Sequence, residues 1–159
     1  MSAVYVGLHR GGGFIGWLIR LVTRSRVGHA SILFGSTVFQ ASMRQGWGWT
    51  TIDRLRGPVT WYRLDVTPEQ ELSMRRWCEA HVGWAYDWRS VIKFTLLWRL
   101  FFNSREARRD QRRLFCFEGV YLCALEGAGI VLLGEARAWE IAGHVLAYSN
   151  LLARAEPGL

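Results

Sequence analysis

Two stretches decide the fold: Gly28-His29-Ala30-Ser31-Ile32-Leu33-Phe34 near the start and Phe115-Cys116-Phe117-Glu118-Gly119-Val120 near the end. The first alternates as a half-buried strand does, and the second opens an apolar helical pattern at Cys116. A base on a strand and a thiol at a helix start are the two parts that nucleophilic cysteine chemistry needs. Imidazole takes the thiol proton, and the unpaired N–H groups of a helix N-terminus favour the anion. Each piece alone is weak. His29 by itself fits a strand-end histidine bonded to backbone as well as a base. A free cysteine is often a small buried hydrophobe, which is the reading for Cys78 and Cys123.

Outward from His29, Gly35-Ser36 separates Val27–Phe34 from Thr37–Ser42 and reads as the turn of a β-hairpin. With a two-residue turn, Phe34 faces Thr37 and His29 faces Ser42. His29, Ser31, Leu33, Val38, Gln40 and Ser42 then share a partly polar face. Ala30, Ile32, Phe34, Phe39 and Ala41 form the apolar one. Gln40 becomes a diagonal neighbour of His29, about 7–8 Å away at the backbone and within side-chain reach. Its side-chain carbonyl is placed to accept from one ring nitrogen and fix the tautomer, leaving the other nitrogen for a thiol. A three-residue turn would break this register.

The rest of the chain reads as alternating short elements. Ala3–His9 is a strand closed by Gly11-Gly12-Gly13, and Phe14–Val22, apolar almost all round, is a buried helix. Gly46-Trp47-Gly48-Trp49 reads as an aromatic-glycine loop and Thr60–Val66 as a strand. Thr67-Pro68-Glu69-Gln70 is a capping box with proline at the first helical position. That helix runs to about His81 and stops at Gly83. Trp88–Phe102 is a second helix. Cys116–Glu126 is a third, ended by Gly127 and Gly129. The tail is ambiguous, with a helical turn near Ala136–Trp139 and a last strand around His144–Tyr148. With no internal repeat or linker, residues 1–159 form one domain, with a candidate docking excursion at 88–113.

The composition bounds the function. Half of the 159 residues are hydrophobic, nine are Trp, and the formal charge is +7. This is a globular chain, and its charge permits an anionic partner without choosing one. Three cysteines with no CxxC spacing and four scattered histidines give neither a disulfide framework nor a metal motif, so no cofactor is expected. The N-terminus lacks the basic-then-apolar pattern of a secretory signal, which points to cytoplasmic synthesis. Trp88–Phe102 is too short and too charged to span a bilayer. Arg105, Arg108, Arg109, Arg112 and Arg113 lie on one helical stripe after it. The stripe reads either as a solvated excursion or as a surface for a protein partner. Nucleic acid is disfavoured, because no binding motif accompanies the charge.

The order of histidine first and cysteine last resembles the circularly permuted, YiiX-like branch of the NlpC/P60 papain-fold hydrolases. The resemblance runs in order from about residue 4 to 130. It is carried by Phe14 to Arg20, Gly28-His29-Ala30-Ser31-Ile32, Val38-Phe39-Gln40-Ala41, Gly83-Trp84-Ala85-Tyr86-Asp87 and Phe115-Cys116-Phe117-Glu118-Gly119-Val120. It implies an α+β, papain-like fold with a small antiparallel sheet packed against helices. It also implies Cys116 as nucleophile, His29 as base, Gln40 as orienting group, and Tyr86 near the cleft. The implied substrate is an amide in peptidoglycan stem peptides or another acyl compound, and the implied setting is a phage particle or tail. Three positions depart from the family pattern. Phe117 replaces a small residue and would crowd the cleft or the Cys116 N–H, Gly119 replaces a leucine, and Gln40 stands where a carboxylate is common. A crowded cleft also fits a binding module or a structural virion protein without turnover. Asp87 reads as a cap for the next helix and Glu118 as a structural first-turn acid.

Overall fold

The computed structural model describes residues 2–10, 16–17, 20–21, 25–87, 113–133 and 149–157. The expected helix over Trp88–Phe102, the arginine stripe up to Arg112, and the tail elements near 136–148 lie outside them. Strands β1 (Ser2–His9), β2 (His29–Phe34), β3 (Thr37–Ser42), β4 (Gly46–Thr51), β5 (Val59–Val66) and β8 (Ala153–Arg154) form one antiparallel sheet in the order β4-β3-β2-β1-β5-β8. A separate two-stranded parallel ladder joins β6 (Ala85–Tyr86) to β7 (Arg113–Leu114). Helices α1 (Pro68–Ala80) and α2 (Cys116–Ala128) pack against the sheet.

The hairpin forms in the expected register, with Phe34 opposite Thr37 and Ser31 opposite Gln40. Gly35 takes φ 60 in its turn, a conformation that costs a glycine little. Ala30, Ile32, Phe34, Phe39 and Ala41 join Val4, Val6 and Leu8 in the main core beneath the helices. Leu33, Val38 and Trp61 form a second cluster on the other face, against which Ile52, Leu55 and Val59 pack. The sheet is therefore covered on both sides where the hairpin begins.

The capping box closes at both bonds. Thr67 Oγ1 accepts from Gln70 N–H at 3.2 Å, and Gln70 Oε1 accepts from Thr67 N–H at 2.9 Å. Three expectations are corrected. Gly46–Trp49 belongs to a strand, not a loop. Its alternation buries Trp47 (1 % exposed), and aromatic burial outweighs the poor strand propensity of glycine. Gly127 lies inside α2 rather than ending it. A Cβ there would come to 3.0 Å from the Met74 backbone, so the glycine is what lets α1 and α2 approach. Gly129, with φ 67, makes the left-handed stop. Finally, Gly16, Trp17, Arg20 and Leu21 are helical, but Trp17 and Leu21 are exposed rather than buried.

Candidate active site

Cys116 is the first residue of α2. Its N-cap, Phe115, makes no side-chain hydrogen bond to the first-turn N–H groups. Leu114 fixes where the helix starts. It pairs with Tyr86 across β6–β7, and its carbonyl accepts from the Trp47 indole at 3.1 Å and from Asp87 N–H at 3.3 Å. The same pairing brings Tyr86 alongside the helix start, with its hydroxyl 4.0 Å from Cys116 Sγ. Trp47 completes the frame. It lies on Gly119, where any Cβ would collide with the indole ring. The departure from leucine at 119 is thus the space that Trp47 fills. Trp47 also exchanges backbone bonds with the 83–84 turn, at 2.9 Å from its N–H to Trp84 O and 2.8 Å from Gly83 N–H to its own carbonyl.

His29 begins β2, and its Nε2 meets Gln40 Oε1 at 3.2 Å. Both residues are half-buried. Among the described residues the β2–β3 pairing ends at Ser31 opposite Gln40. This leaves the Ala30 N–H free to bond to Cys116 Sγ. The thiol therefore lies against the backbone next to His29, while the His29 side chain starts from the other face of the strand. The structure brings His29 to Gln40 and Tyr86 to Cys116. Between the pairs it shows the backbone link through Ala30, with no hydrogen bond from His29 to Cys116 among the described contacts. Phe117 is buried in the core (2 % exposed), with its ring 6.4 Å from that of Phe115, rather than displayed at a surface. The helix that Asp87 is expected to cap lies outside the described residues.

The electrostatics set the resting protonation state. Burial pushes the Cys116 thiol up to about 11. The Ala30 N–H, the Tyr86 hydroxyl and the N–H groups of Phe117 and Cys116 pull the other way without reversing it. The helix start therefore supports the anion, but desolvation wins, and the expected lowering does not occur. Burial drives His29 down to about 4, against the Gln40 bond. Burial, the larger cause, and the adjacent Cys116 raise the Tyr86 phenol, so it remains a donor. At neutral pH the thiol and the imidazole are both neutral. With Oε1 accepting, Nε2 carries the hydrogen and Nδ1 keeps a lone pair, which is the form of a general base.

Two residues at this end of the sheet were not singled out from sequence. His9 sits opposite His29 in the β1–β2 register, with ring centroids 4.9 Å apart. Trp47 supports the helix start. His9 could have been found only by knowing that β1 pairs with β2 end to end. Among the described residues, no three His, Cys, Asp or Glu side chains come together to hold a metal ion. No helix among them is long and apolar enough to cross a membrane.

No family model matches the chain, and no curated protein sequence matches it. A solved structure does, described as that of the metalloprotein YiiX from Escherichia coli O157:H7. It superimposes with a TM-score of 0.69 over 98% of this chain and 96% of that one, at 10% identity. At that identity the likeness speaks for the fold alone: an α+β, YiiX-like papain-like fold with an antiparallel sheet packed against helices.

Proposed function

We propose that this chain is a cysteine hydrolase of the permuted NlpC/P60 type that cleaves an amide bond in peptidoglycan stem peptides. One observation carries the reading. The thiol of the first residue of α2 lies by the backbone N–H of Ala30, the residue after His29, and Gln40 engages His29 Nε2, which makes Nδ1 the nitrogen that keeps the lone pair. In this reading Nδ1 of His29 takes the Cys116 proton as sulfur attacks an electrophilic carbon, here the amide carbonyl, so no thiolate accumulates at rest and a small electrophile that reaches the sulfur is attacked with the same assistance. N–H groups at the start of α2 donate to the developing oxyanion. The imidazolium returns its proton to the leaving amine, and water, deprotonated by His29, releases the acyl group from sulfur. Gln40 orients the ring, and the Tyr86 hydroxyl supports the charge on sulfur.

The test is a digest of purified peptidoglycan followed by mass spectrometry. The wild type releases new amino termini and Cys116→Ala releases none; no release by the wild type on any stem-peptide chemistry would remove the reading. A second reading, a non-catalytic papain-like binding module or structural virion protein, is favoured by the complete burial of Cys116. It predicts retention on peptidoglycan without new termini. A phage tail or virion setting, with a protein partner bound through residues 88–113, belongs to the proposal and rests on the sequence resemblance and the arginine stripe.

A further inference from the structure

We infer that His9 is a positioning residue for His29, holding the ring in the orientation that keeps Nε2 on Gln40 and Nδ1 free. The consequence for turnover rests on the hydrolase reading; the geometry does not. The torsion that turns an imidazole about Cβ–Cγ is broad and roughly two-fold, so a ring attached at a strand end does not select one face by itself. A single bond to Gln40, 3.2 Å long and at the half-buried edge, is a modest restraint. His9 adds a wall. Its ring lies 4.9 Å from that of His29, tilted by 54°.

The wall is itself fixed from three sides. His9 Nε2 is bonded to Ser31 Oγ at 2.8 Å, on the strand that carries His29. The edge of Trp61 stands behind it, with centroids 6.5 Å apart. Between them Gly7 has no side chain. A Cβ there would meet Ser31 Oγ at 2.7 Å and enter the Trp61 ring, so glycine is what lets the serine and the indole close on His9. The His9 carbonyl also accepts from Gly28 N–H at 2.9 Å, which fixes the backbone just before His29. His9 is 5 % exposed, so it braces the base from within the protein and does not offer a surface to substrate.

The experiment is long-range 1H–15N NMR of the full chain, which reads the tautomer of each histidine, together with steady-state kinetics on peptidoglycan fragments. In the wild type His29 is expected wholly as the Nε2–H tautomer. His9→Ala should make it a mixture. It should also lower kcat by about tenfold with KM unchanged, a fraction of the roughly hundredfold or more that a positioned base supplies. His9→Phe, which restores the wall without the Ser31 bond, should recover most of the tautomer and the rate. If His9→Ala does not fold, Ser31→Ala releases the anchor and should mix the tautomer in the same sense. A His29 tautomer unchanged in His9→Ala, or in Ser31→Ala where that is the variant read, overturns the inference. A His9-dependent tautomer in a wild type that hydrolyses nothing would uphold the positioning role and remove the enzyme instead.

Discussion

Gly119→Ala adds one methyl group to the second turn of α2, and the structure determines the sign of its effect. In an ordinary helix the change is worth about 1 kcal/mol of stabilisation, because alanine loses less backbone entropy than glycine. Here the new Cβ would lie 2.2 Å from both Cζ2 and Cη2 of Trp47. The indole has no free route of retreat: it is 1 % exposed, stacked on Phe39 at 5.3 Å between centroids, and bonded to the Leu114 carbonyl at 3.1 Å. Overpacking a tight core costs about 1–3 kcal/mol. A ring that moves far enough to break its bond strands the buried indole N–H, at about 1–3 kcal/mol more. With both costs set against the propensity gain, Gly119→Ala is expected to destabilise by about 1–5 kcal/mol. For a chain this long each kcal/mol lowers Tm by about 2–4 °C. Urea unfolding followed by tryptophan fluorescence reads the difference. In the double variant with Trp47→Phe, whose smaller ring makes room, the two effects should fall short of their sum by about 1 kcal/mol or more. A Gly119→Ala protein as stable as the wild type would refute the packing argument, and with it the account of how the helix start is held.

Other outcomes follow from the same geometry. His9 and His29 both have folded-state pKa values depressed below 6.5, to about 3 and about 4. The unfolded chain therefore binds protons first, and the stability they contribute is full above about pH 6.5 and lost as pH falls toward those values. By pH 5 the two together should cost on the order of 4 kcal/mol, read as a falling urea midpoint, and His29→Gln should make that fall shallower. Gln40→Ala should lower turnover with little change in Tm. Gln40→Glu should keep or raise it, because a carboxylate better supports the imidazolium. Tyr86→Phe should leave Tm within about 1–2 °C and lower turnover several-fold, through loss of the hydroxyl 4.0 Å from the thiol.

Local signals were legible where a few neighbouring residues decide the structure. The hairpin register followed from a two-residue turn and a clean alternation, and it placed Gln40 against His29. The capping box followed from Thr67, Pro68 and Gln70. Cys116 was legible as a helix start because Phe115 and the apolar run after it leave few other readings. What escaped was non-local. Gly46–Trp49 reads as a loop until Trp47 is known to have Gly119 and Leu114 to pack on, and both are far away in sequence. Gly127 reads as a stop until Met74 is known to press against it. The thiol pKa departs from the sequence expectation for a related reason. The favourable helix N-terminus is visible in sequence, whereas the opposing desolvation depends on everything that covers the site.

The claim at the centre of this account is that His29 acts on Cys116. Its most direct test is the rate of iodoacetamide alkylation at pH 7, resolved by site with peptide mass spectrometry, in the wild type and in His29→Ala. All three cysteines are buried, so Cys78 and Cys123, whose sulfurs lie 3.6 Å apart in the core, serve as internal controls. The account predicts that Cys116 reacts faster than either in the wild type and at least about tenfold slower in His29→Ala, with the controls unchanged. Equal alkylation of Cys116 in the two proteins would contradict it.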